Sequence, residues 1–333
     1  MIYQRVPRAL SEPACCGSQK REDSKVSEGA ATCLILTLFP RADILGAGCP
    51  RVPYSCNPMP ESSETRLRAD THVHFHRCVE EGPFLDAAAE SLLGDSPQGD
   101  LITAVLCLTE SYGDDWFGTL ARLDEGELVG STHWRRLKTA EDNSVVVAND
   151  RGRRLAVIAG RQIVCRERLE VLALGYTEHP EDGQPIRDVL CEVEQAGALP
   201  VLPWGFGKWT GERGEIVRQL LDAPPCEFTV GDNGGRLSML GEPELLTVAR
   251  DKGFCILPGT DPFPFQWDSR RVGSFGMEWR GGLKADTPFR SLKSLISGQG
   301  TAGERFGRLE SLPAFIRNQV AIQLRRVPSK LGR

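Results

Sequence analysis

The sequence predicts an α/β fold in which a largely parallel sheet is covered by helices. Beyond Arg66, strand-like and helix-like runs alternate in a strand, loop, helix order. Several of the strands are near-continuous apolar runs, as in LITAVLCL at 101–108, the pattern of a strand buried on both faces. At 333 residues the chain is large for one simple core, yet within the range of a single α/β barrel with extensions. One main domain is predicted.

Residues 1–66 mix Pro, Ser, Gly and Cys without a sustained period, and are read as a poorly ordered N-terminal extension. CLILTLF is the one apolar run there; KREDSK before it is mixed in sign, and Pro40, Arg41 and Asp43 follow too soon for a secretory signal. Met59 is the expected natural start, because MPESSETRLRADTHVHF reads as a short polar leader into a first strand; residues 1–58 would then not be native.

The first strand is LRADTHVHF, followed by the helix PFLDAAAESLLG, with Pro83 near its start and Gly94 near its stop. LITAVLCL is the second strand and WFGTLARL a helix. STHWRRL, SVVVAN, RLAVIAG, RQIVC and RLEVLALG are rich in β-branched residues and read as short strands, some in an antiparallel excursion. Alternation then returns: helix IRDVLCEVEQAG stopped by Gly197, strand ALPVLPW, helix GEIVRQLLDA, strand CEFTVGDN, helix PELLTVARDKG and strand FCILPGTD. DTPFRSLKSLISG and PAFIRNQVAIQLRR are helices, placed with residues 286–333 in a C-terminal helical extension packed on a barrel at 67–285.

Of eleven cysteines, five precede the barrel, no C-x-x-C occurs, and Cys107, Cys165, Cys191 and Cys255 sit in apolar runs where a reduced thiol acts as a small hydrophobe. A reducing cytoplasm fits this usage. The formal charge of −5, with arginines scattered, gives no electrostatic reason to expect nucleic acid or an anionic membrane as a partner. No run approaches the roughly 18 to 20 apolar residues of a membrane span.

The chemistry concentrates in DTHVHFH, residues 70–76, which holds three of five histidines at alternate positions. On a strand His72, His74 and His76 share one face, while Val73 and Phe75 take the other. In a parallel barrel, functional side chains collect at the carboxyl ends of the strands, where His72, His74, Glu110 and Asp261 all fall. Two imidazoles with a carboxylate suit zinc, manganese or iron, and a water acidified by such a cation is a nucleophile at neutral pH. His133 and His179 sit in polar surroundings and read as solvated or structural. Trp204, Phe206 and Trp209 in PWGFGKW are candidates for an aromatic pocket floor, and GFGKWTGERG offers free amides with Lys208 and Arg213 for an anion. No G-x-S-x-G, H-E-x-x-H or calcium-loop pattern is present.

DTHVHF, LCLTES, VIAGRQIVCRERLEVLALG, PIRDVLCEVEQAGALPVLPWGFG, FTVGDNGGR and ILPGTDPF occur in an order that resembles the polymerase-and-histidinol-phosphatase (PHP) domain over roughly residues 68–265. The resemblance implies a distorted (β/α)7 barrel, up to three metal ions and phosphate-ester hydrolysis. His72 and His74 match the family's opening histidine pair, and Asp261 matches its late aspartate. Other ligand positions depart: Glu110 and Ser111 stand for an aspartate and a histidine, Gln162 for a bridging glutamate, Glu170, Trp204 and Phe263 for histidines. An amide lacks the charge that bridges two cations, and neither Trp204 nor Phe263 can bind a metal. One divalent cation is therefore expected, on His72, His74 and Asp261, with Glu110 or Gln162 as further candidates.

Two functions follow. In the first, a mononuclear hydrolase uses Asp261 or Glu110 to take a proton from water, with Lys208, Arg213, Arg236 and Trp204 facing an anionic substrate. In the alternative, a non-catalytic barrel binds a ligand or partner at its tryptophan-lined mouth.

Overall fold

The computed structural model describes residues 65–94, 100–299 and 303–326. The expected N-terminal extension, with the Met59 start, lies outside the described residues up to residue 64.

Strand β1 (Arg66–Val73) leads into helix α1 (Glu81–Leu93) and the fully buried strand β2 (Ala104–Leu108). Helix α2 (Trp116–Arg122) is followed by β3 (Trp134–Leu137), β4 (Ser144–Asn149), β5 (Arg154–Ile158), β6 (Gly160–Val164) and β7 (Glu170–Leu174). The regular alternation then runs α3 (Ile186–Gln195), β8 (Leu199–Pro203), α4 (Glu212–Asp222), β9 (Thr229–Asn233), α5 (Glu244–Asp251) and β10 (Ile256–Gly259). Short α6 (Gln266–Ser269), β11 (Phe275–Arg280), α7 (Pro288–Ser294), β12 (Glu304–Gly307) and α8 (Leu312–Arg326) complete the described chain.

The class is α/β, with the described strands in two sheets: β12-β11-β1-β2-β5-β4-β3 and β10-β9-β8-β7-β6. The described strands form no closed barrel, where a distorted (β/α)7 barrel is the expectation. The reason is β11, a strand absent from the sequence reading, which pairs antiparallel with β1 from Arg66↔Arg280 to Ala69↔Met277 and takes the ladder positions that a parallel neighbour would need. Arg68 Nε donates to Glu278 Oε2 at 2.7 Å across the same pair. The antiparallel excursion is present as β3-β4-β5 and again as β6-β7-β8.

Three apolar clusters hold the layers. One packs α1 and α2 on the first sheet through Phe84, Leu85, Leu106, Trp116 and Leu120; a second packs α3, α4 and α5 on the other sheet through Leu190, Val217, Val230 and Leu246. The third draws on both sheets, with Ala69, Val105, Ile158, Leu172, Val201 and Leu257. Burial of such side chains contributes roughly 1.5–3 kcal/mol each.

The two sheets meet at two seams, and both need glycine. At the first, β5 runs into β6 with only Ala159 between them, and a Cβ on Gly160 would stand 2.1 Å from the Leu108 carbonyl oxygen. At the second, the end of β10 lies against β1, where a Cβ on Gly259 would stand 2.3 Å from the His72 nitrogen. The Asp261 N–H donates to the His72 carbonyl at 2.8 Å, and Thr71 Oγ1 donates to the Pro258 carbonyl at 2.9 Å.

Asp70, fully buried in β1, ties this second seam together. Its Oδ1 accepts from the Thr260 N–H (2.9 Å) and the His72 N–H (3.3 Å), and its Oδ2 from Thr260 Oγ1 (2.5 Å) and the Gly273 N–H (2.9 Å). Burial pushes the Asp70 carboxyl up to about 6, with those four hydrogen bonds acting in the opposite direction. Replacing Asp70 by Ala strands buried donors, each costing about 1–3 kcal/mol. Urea denaturation of Asp70→Ala is expected to show a loss of about 3 kcal/mol or more; a loss below about 1 kcal/mol would remove this role.

Candidate metal centre

β1 ends at Val73, yet the alternation set up by the sequence continues beyond it. Phe75 turns toward the helices, stacking on Trp116 at 4.1 Å between centroids and meeting Phe84 edge-on at 5.2 Å. His72, His74 and His76 lie together on the other side, with centroids 5.2 and 5.4 Å apart in succession.

At the second seam the loop after β10 brings Asp261 to these rings. His72 Nε2 is 3.5 Å and His74 Nε2 3.4 Å from Asp261 Oδ1. One ligand atom from each of the three residues lies within 4.8 Å of the others, so the cluster can hold a metal ion. The spacing is informative: tetrahedral ligands at 2.0–2.2 Å from zinc stand about 3.3–3.6 Å apart. His72 Nε2 is buried with no hydrogen-bond partner, an acceptor or donor left facing the same point.

The electrostatics favour cation ligands. Burial lowers the His72 pKa from its ordinary value, with Asp261 opposing it. For Asp261, burial works against ionisation but is outweighed by His72, His74 and Lys208, so its carboxyl lies well below the usual range. Asn233 Nδ2 donates to Asp261 Oδ2, leaving Oδ1 to the imidazoles, and Asn233 Oδ1 accepts from the Gly235 N–H at 2.7 Å. Asp261 has a φ of 45°, the left-handed region, one of two such non-glycine residues among those described.

Other predicted residues are placed differently. His76 Nε2 donates to the Pro262 carbonyl at 2.9 Å, an arrangement that holds the Asp261 loop. Glu110 does not join the cluster: its Oε1 accepts from the Trp116 and Phe117 N–H groups at the start of α2, and its Oε2 from Arg161 Nη1 at 3.1 Å. Gln162 pairs through its backbone N–H with the Glu110 carbonyl at 2.9 Å, beside that same salt bridge. Lys208 is ion-paired with Glu170 at 2.5 Å, and its charge reaches both His72 and Asp261. Arg213 Nη2 donates to the Gly207 carbonyl at 2.8 Å. Arg236 is buried against Asp232 through Nε (3.0 Å) and Nη2 (2.9 Å).

The aromatic trio separates. Trp204 and Trp209 pack on the helix-side core of the second sheet, and Phe206 lies against Phe315 at 5.4 Å. Asp70, Asn233 and Thr260 were missed by sequence reasoning. Asp70 left a trace as a carboxylate inside an otherwise apolar strand, and Asn233 as an amide before a Gly-Gly pair at a strand end.

No protein-family model matches this chain, and no curated protein matches it. Solved structures give weak likenesses. PsfC from Pseudomonas syringae PB-5123 is 15% identical, with 78% of this chain and 99% of that chain covered and a TM-score of 0.47. The lesion-specific endonuclease PfuEndoQ from Pyrococcus furiosus is 12% identical, covering 72% of this chain and 57% of its own, with a TM-score of 0.42. An Endonuclease Q complex with a 27-mer duplex substrate carrying an abasic lesion is 13% identical, covering 72% and 58%, with a TM-score of 0.42. This chain thus spans little more than half of the endonuclease chains. The second of these was solved with a DNA duplex, and the expectation that nucleic acid is excluded as a partner is withdrawn, because it rested on net charge alone. Net charge is a sum over the whole chain and does not report how charge is distributed on its surface.

Titration calorimetry with zinc or manganese is expected to show one equivalent bound, weakened about 10–100-fold in Asn233→Ala because the carboxylate loses its orienting partner. Unchanged affinity in that variant would remove the role of Asn233.

Proposed function

We propose that this chain is a metal-dependent hydrolase of phosphate esters, on a divergent, opened form of the distorted (β/α)7 barrel of PHP domains. The single supporting observation is the His72, His74 and Asp261 trio, with ligand-like separations and an unpartnered buried His72 Nε2. A zinc, manganese or iron ion held there supplies Lewis acidity and lowers the pKa of a water at neutral pH.

The chain's own groups divide the remaining work. Asp261 enters ionised, with Asn233 holding Oδ2; it is assigned as a ligand of the ion and as the acceptor of the proton from water, and the surroundings that keep it ionised also make it a weak base. Lys208, steadied by Glu170, is assigned to the phosphate; Arg213 and Arg236 would first have to leave the carbonyl and carboxylate partners they hold. Glu110 acts as a positioning residue, since it fixes the start of α2 and hence Trp116 against Phe75, the neighbour of His74. Trp204 follows β8, its N–H donating to the Gly231 carbonyl and its ring packed on the helix-side core, so no substrate contact is assigned to it.

Metal-loaded protein assayed on a phosphomonoester, a phosphodiester and a duplex with an abasic site is expected to turn over at least one. Asp261→Asn is expected to lower kcat about 100-fold or more, while Lys208→Ala raises KM more than it lowers kcat. No turnover of any of them, or full activity in Asp261→Asn, would contradict the proposal.

A further inference from the structure

Helices α1 and α3 are fastened to the sheets by apolar faces, and α8 is not. Among its described side chains only Asn318 is buried, whereas Leu312, Ile316, Val320 and Leu324 are exposed. A helix without a buried apolar stripe is held by its few specific contacts alone, so its attachment opens at low cost. No helix among the described residues is long and apolar enough to cross a membrane.

Asn318 ties two segments together with one amide. Its Nδ2 donates to Asp268 Oδ1 (3.0 Å) and to Glu310 Oε1 (2.6 Å), and its Oδ1 accepts from Trp267 Nε1 (3.0 Å). Both carboxylates are buried, with Arg271 Nη1 3.4 Å from the first and 3.6 Å from the second. Each belongs to a segment that holds the candidate ligand Asp261 from a different side. Asp268 Oδ2 accepts from the Phe263 N–H at 2.7 Å, which closes the loop beginning at Asp261. The Glu310 N–H is shared between the Gly234 and Arg236 carbonyls at 3.1 Å each, bracing the turn from which Asn233 donates to Asp261 Oδ2.

The other contacts of α8 reach the same end of the strands. Phe315 meets Phe206, in the loop after β8, at 5.4 Å between centroids, and the Arg317 guanidinium lies 5.6 Å from the centroid of Trp267, in the segment after β10. Glu310, just ahead of α8, bridges to Leu237 after β9.

We infer that docking of α8 and occupation of the metal centre are coupled, with Asn318 as the positioning residue that joins them. With Asn318 seated, the Asp261 loop and the Asn233 turn are fixed relative to each other, and Asp261 keeps the left-handed backbone that sets its Oδ1 against the two imidazoles. With α8 released, Asp268 and Glu310 lose their shared donor, and the two segments move independently. A cation then meets a carboxylate that must first be ordered, and binds more weakly. Linkage makes the effect reciprocal, so a cation that orders Asp261 tightens α8 by the same factor. The inference rests on the metal-site reading of the proposed function and adds the element that regulates that site.

Hydrogen exchange and titration calorimetry of the full chain, with manganese alone as the probe, test it. Saturating manganese is expected to slow exchange of the α8 amides about tenfold in the wild-type protein. Asn318→Ala is expected to weaken manganese binding about tenfold. Phe315→Ala loosens α8 at the exposed Phe206 while leaving Asn318 and both carboxylates intact, and is expected to weaken binding about threefold, with circular dichroism unchanged. Exchange in α8 that is indifferent to bound manganese, or an affinity unchanged in either variant, overturns the coupling and leaves the metal centre standing. A wild-type protein that binds no manganese overturns both.

Discussion

The hydrogen bonds accepted by Asp70 hold two segments 190 residues apart in sequence at one fixed spacing. On one side of the carboxylate is the His72 N–H; on the other is Thr260, the residue before Asp261. The separation of imidazole from carboxylate at the candidate metal centre is therefore set from outside it, by a carboxylate that is not one of the three candidate ligands. An acceptor-only carboxylate is the side chain that can receive four donors at once, and a carboxamide in its place would turn an N–H toward at least one of them. The four hydrogen bonds offset only part of the cost of burying this carboxylate, which shows in its raised pKa.

The same seam explains why the sheets stay separate here. β11 occupies the first half of the β1 edge, so β10 approaches only the second half, through single hydrogen bonds instead of a ladder. Gly259 permits the approach, and the left-handed turn at Asp261 follows at once. Such a backbone costs about 1–2 kcal/mol for a residue with a Cβ, less for aspartate. The Asp261 N–H bond to His72, worth about 1 kcal/mol, and the Asp70 to Thr260 pair together exceed it. The strained Asp261, a candidate ligand, is thus held in its orientation by its neighbours alone.

Much of the fold was legible because local pattern and tertiary structure agree. The alternating run at 70–76 keeps its two faces even past the strand end, since Phe75 has an aromatic cluster to enter and the histidines have a seam to face. Helix punctuation by Gly94 and Gly197, and the apolar strands 104–108 and 199–203, likewise stand where the sequence placed them. What could not be read is which edges meet. FGMEWR alternates too briefly, and after a glycine, to announce β11, and nothing local says that Glu278 has Arg66 and Arg68 waiting across the ladder. Glu110 fell at a strand end, as a ligand should, but its oxygens went to a helix start and to Arg161, partners that only the fold brings near.

Anomalous diffraction from crystals soaked in manganese tests the central claim most directly. The account predicts a single peak about 2.0–2.3 Å from one atom each of His72, His74 and Asp261, with Asn233 still on the second Asp261 oxygen. A peak elsewhere, or none at a concentration that saturates calorimetric binding, would contradict it.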